Sequence, residues 1–131
     1  MLDREAILQR IDTAYAARTR GDMAALDAMW ADDATYQLIG ASMLPRVPAG
    51  VSDMHEAVGR LIDIFQFHEA ERVTAIVEGL RAALHWRITF STGAASIANT
   101  ELCDFWEFTP EGKVRSLVQF TDTALLRILL A

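Results

Sequence analysis

The sequence predicts an α+β fold, with about three helices from the N-terminal half packed on a curved antiparallel sheet around a conical pocket. Two observations predict it. Apolar residues recur at spacings of three and four as far as about Phe67, and at spacings of two from Glu69 onward. Turn-forming segments at Glu78-Gly79, Ser91-Thr92-Gly93 and Thr109-Pro110-Glu111-Gly112 then divide the second half into four strand-length pieces.

The first helix is expected from about Asp3, its cap, to Arg20. Ile7, Leu8, Ile11, Ala14, Tyr15 and Arg18 form its inner stripe. Gly21 ends it, and Asp22 caps a short second helix, Met23 to Trp30. Asp32 and Asp33 read as a turn leading into a strand from Thr35 to Ile39. Pro45, Pro48 and Gly50 make Gly40 to Ser52 a loop, and its apolar Met43, Leu44 and Val47 suggest that it folds over something. Asp53 and Glu56 have the spacing of a capping box, and the helix they open runs to about Phe67. Strands follow at Arg72 to Val77, Ala82 to Ser91, Ile97 to Phe108 and Lys113 to Thr121. The tail from Asp122 to Ala131 reads as one or two turns of helix.

Length and composition narrow the function. A chain of 131 residues with 52% hydrophobic and 23% charged residues suits one folded domain. Its net charge of −6, with no Lys/Arg run, disfavours nucleic acid. A single cysteine, Cys103, rules out an intrachain disulfide and suits a reducing, cytoplasmic location. No apolar stretch is long enough to span a bilayer, so no membrane is expected as a partner. HxH, HExxH and CxxC patterns are missing, as are a Gly-rich phosphate loop and a GxSxG elbow, so neither a metal nor another cofactor is expected.

Two stretches carry a family resemblance. Tyr15-Ala-Ala-Arg-Thr-Arg-Gly-Asp-Met-Ala-Ala-Leu-Asp-Ala-Met-Trp-Ala-Asp-Asp-Ala-Thr-Tyr36 resembles the opening of the SnoaL-like and ketosteroid isomerase-like proteins. Asp104-Phe-Trp-Glu-Phe-Thr-Pro-Glu-Gly-Lys-Val114 is similar to their closing hairpin. With Gly50 to Ala57, the resemblance spans nearly the whole chain. It implies the cone-shaped fold of the nuclear transport factor 2-like superfamily, cystatin-like in architecture. The reaction stays open, because the superfamily includes isomerases, cyclases, dehydratases, epoxide hydrolases and non-catalytic binders. In ketosteroid isomerases a tyrosine and a protonated aspartate form an oxyanion hole, and a second aspartate is the base. The resemblance maps the first two onto Tyr15 and Asp104 and the base onto Leu38, which cannot take a proton. An epoxide hydrolase set is also incomplete: Arg87 matches its arginine, but Thr89 and Gln119 stand near its acids.

Asp104 shares a strand face with Leu102, Trp106 and Phe108, so desolvation should raise its pKa and let it act as an acid. Alternatively it only bonds its neighbours and holds the sheet. Tyr15 is either a supporting donor or a core aromatic. The facing of His85, Arg87 and Thr89 is contested. The resemblance turns His85 and Arg87 toward the pocket, whereas hydrophobicity turns Trp86 and Phe90 inward; we follow the resemblance here. His85 then becomes a base suited to neutral pH, and Arg87 either a pocket residue or an ion-pair partner on the sheet. Tyr36, Leu38, Met43, Trp106, Gln119 and Phe120 complete the expected pocket.

The function expected is cofactor-independent acid–base chemistry, of isomerase, cyclase or dehydratase type, on a small, largely apolar molecule such as a polyketide-like or steroid-like enone. The alternative is a non-catalytic ligand-binding or dimerisation module. Strands apolar on both faces and the tail ALLRILLA predict a homodimer through the sheet.

Overall fold

A computed structural model describes residues 2–131. The first helix, α1 (Arg4–Arg20), starts where the Asp3 carboxylate accepts the Ala6 N–H, and it stops at Gly21, in the left-handed region at φ 67°. Its stripe buries Ile7, Ile11, Ala14, Tyr15 and Ala17. Asp22 caps α2 (Met23–Asp27) by accepting the Ala25 N–H.

Two expectations fail at the next step. Trp30 does not end α2 but opens β1 (Trp30–Leu38), because the Met29 carbonyl accepts the Val114 N–H and draws the chain into the sheet. Asp32 and Asp33 are not a turn. They lie exposed inside β1, where the register jumps from Trp30 opposite Val114 to Thr35 opposite Ser116. This bulge absorbs the extra residues and turns both carboxylates to water.

The expected loop after β1 contains a single 3-10 turn at Ala41–Met43 and a two-residue strand, β2 (Ser52–Asp53). Asp53 caps α3 (Met54–Ile64) by accepting the Glu56 N–H. Then come β3 (Gln66–Glu78), β4 (Arg81–Thr92), β5 (Ala95–Phe108), β6 (Val114–Thr121) and α4 (Thr123–Leu129), the last capped by Asp122. Strand β3 starts six residues before the expected Arg72, at Gln66. It is an edge strand, exposed over most of its length, so its early residues show no apolar alternation.

The six strands form one sheet in the order β2-β1-β6-β5-β4-β3. Every pair is antiparallel except β1 with β6, so the sheet is mixed. The core fills the space between the helices and the inner sheet face, where Leu84, Trp86, Leu102, Trp106, Phe108 and Val114 meet Ile7, Ile11 and Met54. No helix among the described residues is long and apolar enough to cross a membrane.

Candidate functional site

Register places the polar residues of the inner face in one row. Gln119 on β6 lies opposite Asp104 on β5 and, on its other side, opposite Leu38 on β1. The row below holds Tyr36, Leu117 and Trp106. Period two along each strand sends all of these side chains toward α1.

Five side chains join into a network. The Tyr36 hydroxyl donates to Gln119 Oε1 at 2.5 Å, and Gln119 Nε2 donates to the Tyr15 oxygen at 3.1 Å. Tyr15 in turn donates to Asp104 Oδ2 at 2.5 Å. Trp86 Nε1 donates to the other oxygen, Oδ1, at 3.2 Å, and its ring stacks on Tyr15 with centroids 3.8 Å apart. Asp104 has no solvent exposure. Burial pushes its pKa up to about 6, against the opposing pull of the Tyr15, Trp106, Gln119 and Trp86 donors around it. Burial also raises Tyr15 well above its ordinary value, and the neighbouring Asp104 charge adds to the rise. Tyr36 is raised by burial as well.

A cavity of about 90 Å³ adjoins this network. Its wall is apolar for the most part, with Leu38, Val58, Phe65, Ile88, Trp106 and Leu117 among its residues. Tyr15, Arg18, Tyr36, Thr100, Gln119 and Thr121 supply the polar groups. Asp104 and Trp86 do not border it; Tyr15 and Gln119, which do, stand between the carboxylate and the space. The only buried side-chain nitrogens and oxygens without a partner among the described residues are Trp30 Nε1, Thr100 Oγ1 and Trp106 Nε1, all on cavity-lining residues. Forgone hydrogen bonds concentrated around one space are a feature of functional sites.

The structure separates the expected site residues into two groups. Tyr15, Tyr36, Leu38, Trp106 and Gln119 line the cavity, with Asp104 behind them. Four others lie elsewhere. His85 and Arg87 point out of the opposite face of β4, because Leu84, Trp86, Ile88 and Phe90 take the buried side. There His85 Nε2 meets Glu101 at 3.3 Å, and Arg87 pairs with Glu101 and Glu71. Hydrophobic alternation was the correct guide, and the resemblance misdirected this strand. Met43 is 59% exposed. Phe120 follows Gln119, so period two turns it outward, where it packs edge-to-face on Phe105. The tail is covered in part: Leu126 of α4 borders the cavity and Leu130 is buried, while Ile128 is exposed.

Sequence reasoning missed Arg18 as a site residue, although it placed Arg18 on the inner stripe of α1. Its Nη2 donates to the Leu61 and Phe65 carbonyls at 3.2 and 2.8 Å, and its guanidinium carbon lies 3.9 Å from the centroid of the Phe67 ring. Burial lowers its pKa to about 10, so it stays charged near neutral pH. No cluster of three or more His, Cys, Asp or Glu side chains suited to a metal ion occurs among the described residues.

The profile of the SnoaL-like domain matches residues 11–117. No curated protein sequence matches the chain significantly. Among solved structures, a nuclear transport factor 2-like protein of unknown function from Burkholderia pseudomallei superposes with a TM-score of 0.77 at 20% identity, covering 95% of this chain and 97% of that one. An LEH-like epoxide hydrolase from M. tuberculosis gives 0.72 at 14% identity, covering 95% and 88%. An inferred polyketide cyclase from Xanthomonas campestris pv. campestris gives 0.69 at 15% identity, covering 98% of each chain. At these identities the likeness is one of fold.

Proposed function

This chain belongs to the SnoaL-like domain family, and from that premise we propose that it binds a small, largely apolar molecule and offers a hydrogen bond from Tyr15 to one of its oxygen atoms. The observation that carries this reading is the apolar cavity whose polar wall is the Tyr15, Tyr36 and Gln119 cluster. The space is small. Engineered cavities that take benzene measure about 150 Å³, so a polycyclic enone would enter only if the wall moved. A ligand of few heavy atoms suits it as it stands.

The proton on Asp104 governs what Tyr15 can do. With Asp104 ionised, the Tyr15 proton is held on Oδ2 and every donor of the cluster is satisfied internally. With Asp104 protonated, the carboxyl can donate to the Tyr15 oxygen, and the phenol proton is free to turn to a ligand carbonyl. With Asp104 near 6, this exchange falls close to neutral pH. Tyr15 would touch the ligand; Asp104 is a positioning residue behind it.

A second reading, cofactor-free acid catalysis of isomerase, cyclase or dehydratase type, is favoured by that same carboxyl–phenol pair. It needs a base from the substrate or water, because the titratable residues lining the cavity are Tyr15, Arg18 and Tyr36 alone. We therefore rank binding first. We also propose a homodimer through the outer sheet face, where Phe105 and Phe120 form an exposed aromatic pair, and a cytoplasmic location, in keeping with the single cysteine.

Butanamide, a short apolar chain with a carbonyl, tests the binding reading. Titrated into isotopically labelled protein, it should shift the indole N–H signals of the cavity residues Trp30 and Trp106 saturably. A Leu38→Trp variant, with the space filled, should lose the response. Equal shifts in both proteins would count against the cavity as the site.

A further inference from the structure

We propose that the ligand of this cavity carries a carboxylate, and that Arg18 receives it. The inference rests on the binding reading above and specifies its substrate class. Arg18 lies one turn after Tyr15 on α1, so the two side chains share a helix face and open onto the same space. Its surroundings are unusual for a guanidinium. Among the described residues no carboxylate pairs with it, although its charge sits in the apolar wall of a cavity. A half-buried cation in an apolar wall without a counter-ion is costly, and an anion entering the space would relieve that cost.

The geometry leaves donors for such an anion. Nη2 is committed to the Leu61 and Phe65 carbonyls at the C-terminal end of α3. Nε and Nη1 bond to nothing in the protein, and they are not among the fully occluded atoms. The two carbonyl bonds and the Phe67 ring fix the guanidinium plane, so the free edge is pre-set rather than mobile. A planar fork of this kind matches a carboxylate by two parallel N–H···O bonds. A carboxylate on Arg18 and a carbonyl or hydroxyl on Tyr15 would then suit a short oxo- or hydroxy-acid with an apolar body.

Butyrate and butanamide share a skeleton and differ in charge, so they separate this proposal from the one beneath it. At about pH 5.5, where butyrate is largely ionised, Arg18 is protonated and Asp104 holds its proton, butyrate should bind about tenfold more tightly than butanamide. The Nε–H signal of Arg18 should move with butyrate and not with butanamide. Arg18→Gln should erase the preference, and Arg18→Lys should restore part of it. If the variants fail to fold, the wild-type preference and the Arg18 signal decide the matter. Equal affinity for the two probes, or a preference that survives in Arg18→Gln, would overturn the role of Arg18 and leave the cavity reading standing. No response of Trp30 or Trp106 to either probe would overturn both.

Discussion

Tyr15 and Trp86 stack face to face at 3.8 Å and deliver their polar hydrogens to opposite oxygens of one buried carboxylate, that of Asp104. The stack ties α1 to β4, and the carboxylate ties both to β5. A fully buried charge survives there because each of its oxygens has a donor.

That arrangement makes stability depend on pH. The folded state holds the Asp104 proton more tightly than an ordinary aspartate, about 6 against 3.8. The stability linked to this proton is therefore complete below the unfolded value and is lost as pH rises through about 6. A shift of about two units corresponds to about 3 kcal/mol. Denaturant unfolding from about pH 4 to about pH 7.5 should show wild type losing roughly this much relative to Asp104→Asn, in which no carboxyl titrates at the site. Parallel curves for the two proteins would contradict the burial account of Asp104.

Tyr15→Phe keeps the ring stack and removes the hydroxyl. At about pH 7.5 it should cost about 1–3 kcal/mol, because a buried carboxylate loses its closest donor. At about pH 5 the cost should shrink, since the protonated carboxyl has less need of that donor. A cost independent of pH would mean that the hydroxyl serves packing and not the charge.

Thr100 offers the reverse case. Its Oγ1 is buried beside the cavity with no partner. Thr100→Val preserves shape and β propensity and removes the orphan, so it should stabilise the protein by about 1 kcal/mol. Thermal unfolding of the two proteins checks this, and a lower midpoint in the variant would reveal a water or ligand group on that oxygen.

Gly112 shows where backbone conformation governs a residue. It has φ 89°, and an added Cβ would stand 2.7 Å from Arg10 Nε, the atom that donates to the Gly112 carbonyl. Gly112→Ala should therefore destabilise by about 1–3 kcal/mol through strain and the displaced arginine. Gly79→Ala, also at positive φ but with open space around it, should cost less. The difference between the two variants in denaturant midpoint isolates the Arg10 contact.

Local signals made most of the fold legible. Asp3, Asp22 and Asp53 mark helix starts and Gly21 a helix end, and the alternation Leu102, Asp104, Trp106, Phe108 set the buried face of β5. The parallel pairing of β1 with β6 was not legible, since no local pattern encodes a contact between Tyr36 and Leu117 strands so far apart in sequence. In the site, strict alternation would have corrected two assignments: Gln119 inward requires Phe120 outward, and Trp86 inward requires His85 and Arg87 outward. Arg18 was visible on the α1 stripe. Its meaning was hidden because a sequence does not show which cations lack a counter-ion.

The most direct test of the account is a crystal structure of the protein with butanamide bound at about pH 5, where Asp104 is protonated. The account predicts the chain of the amide in the cavity, against Leu38 and Leu117, with its carbonyl oxygen in hydrogen-bond reach of the Tyr15 hydroxyl and Asp104 now donating to Tyr15. Butanamide bound elsewhere, or an occupied cavity with Tyr15 still turned to Asp104 and away from the carbonyl, would contradict it.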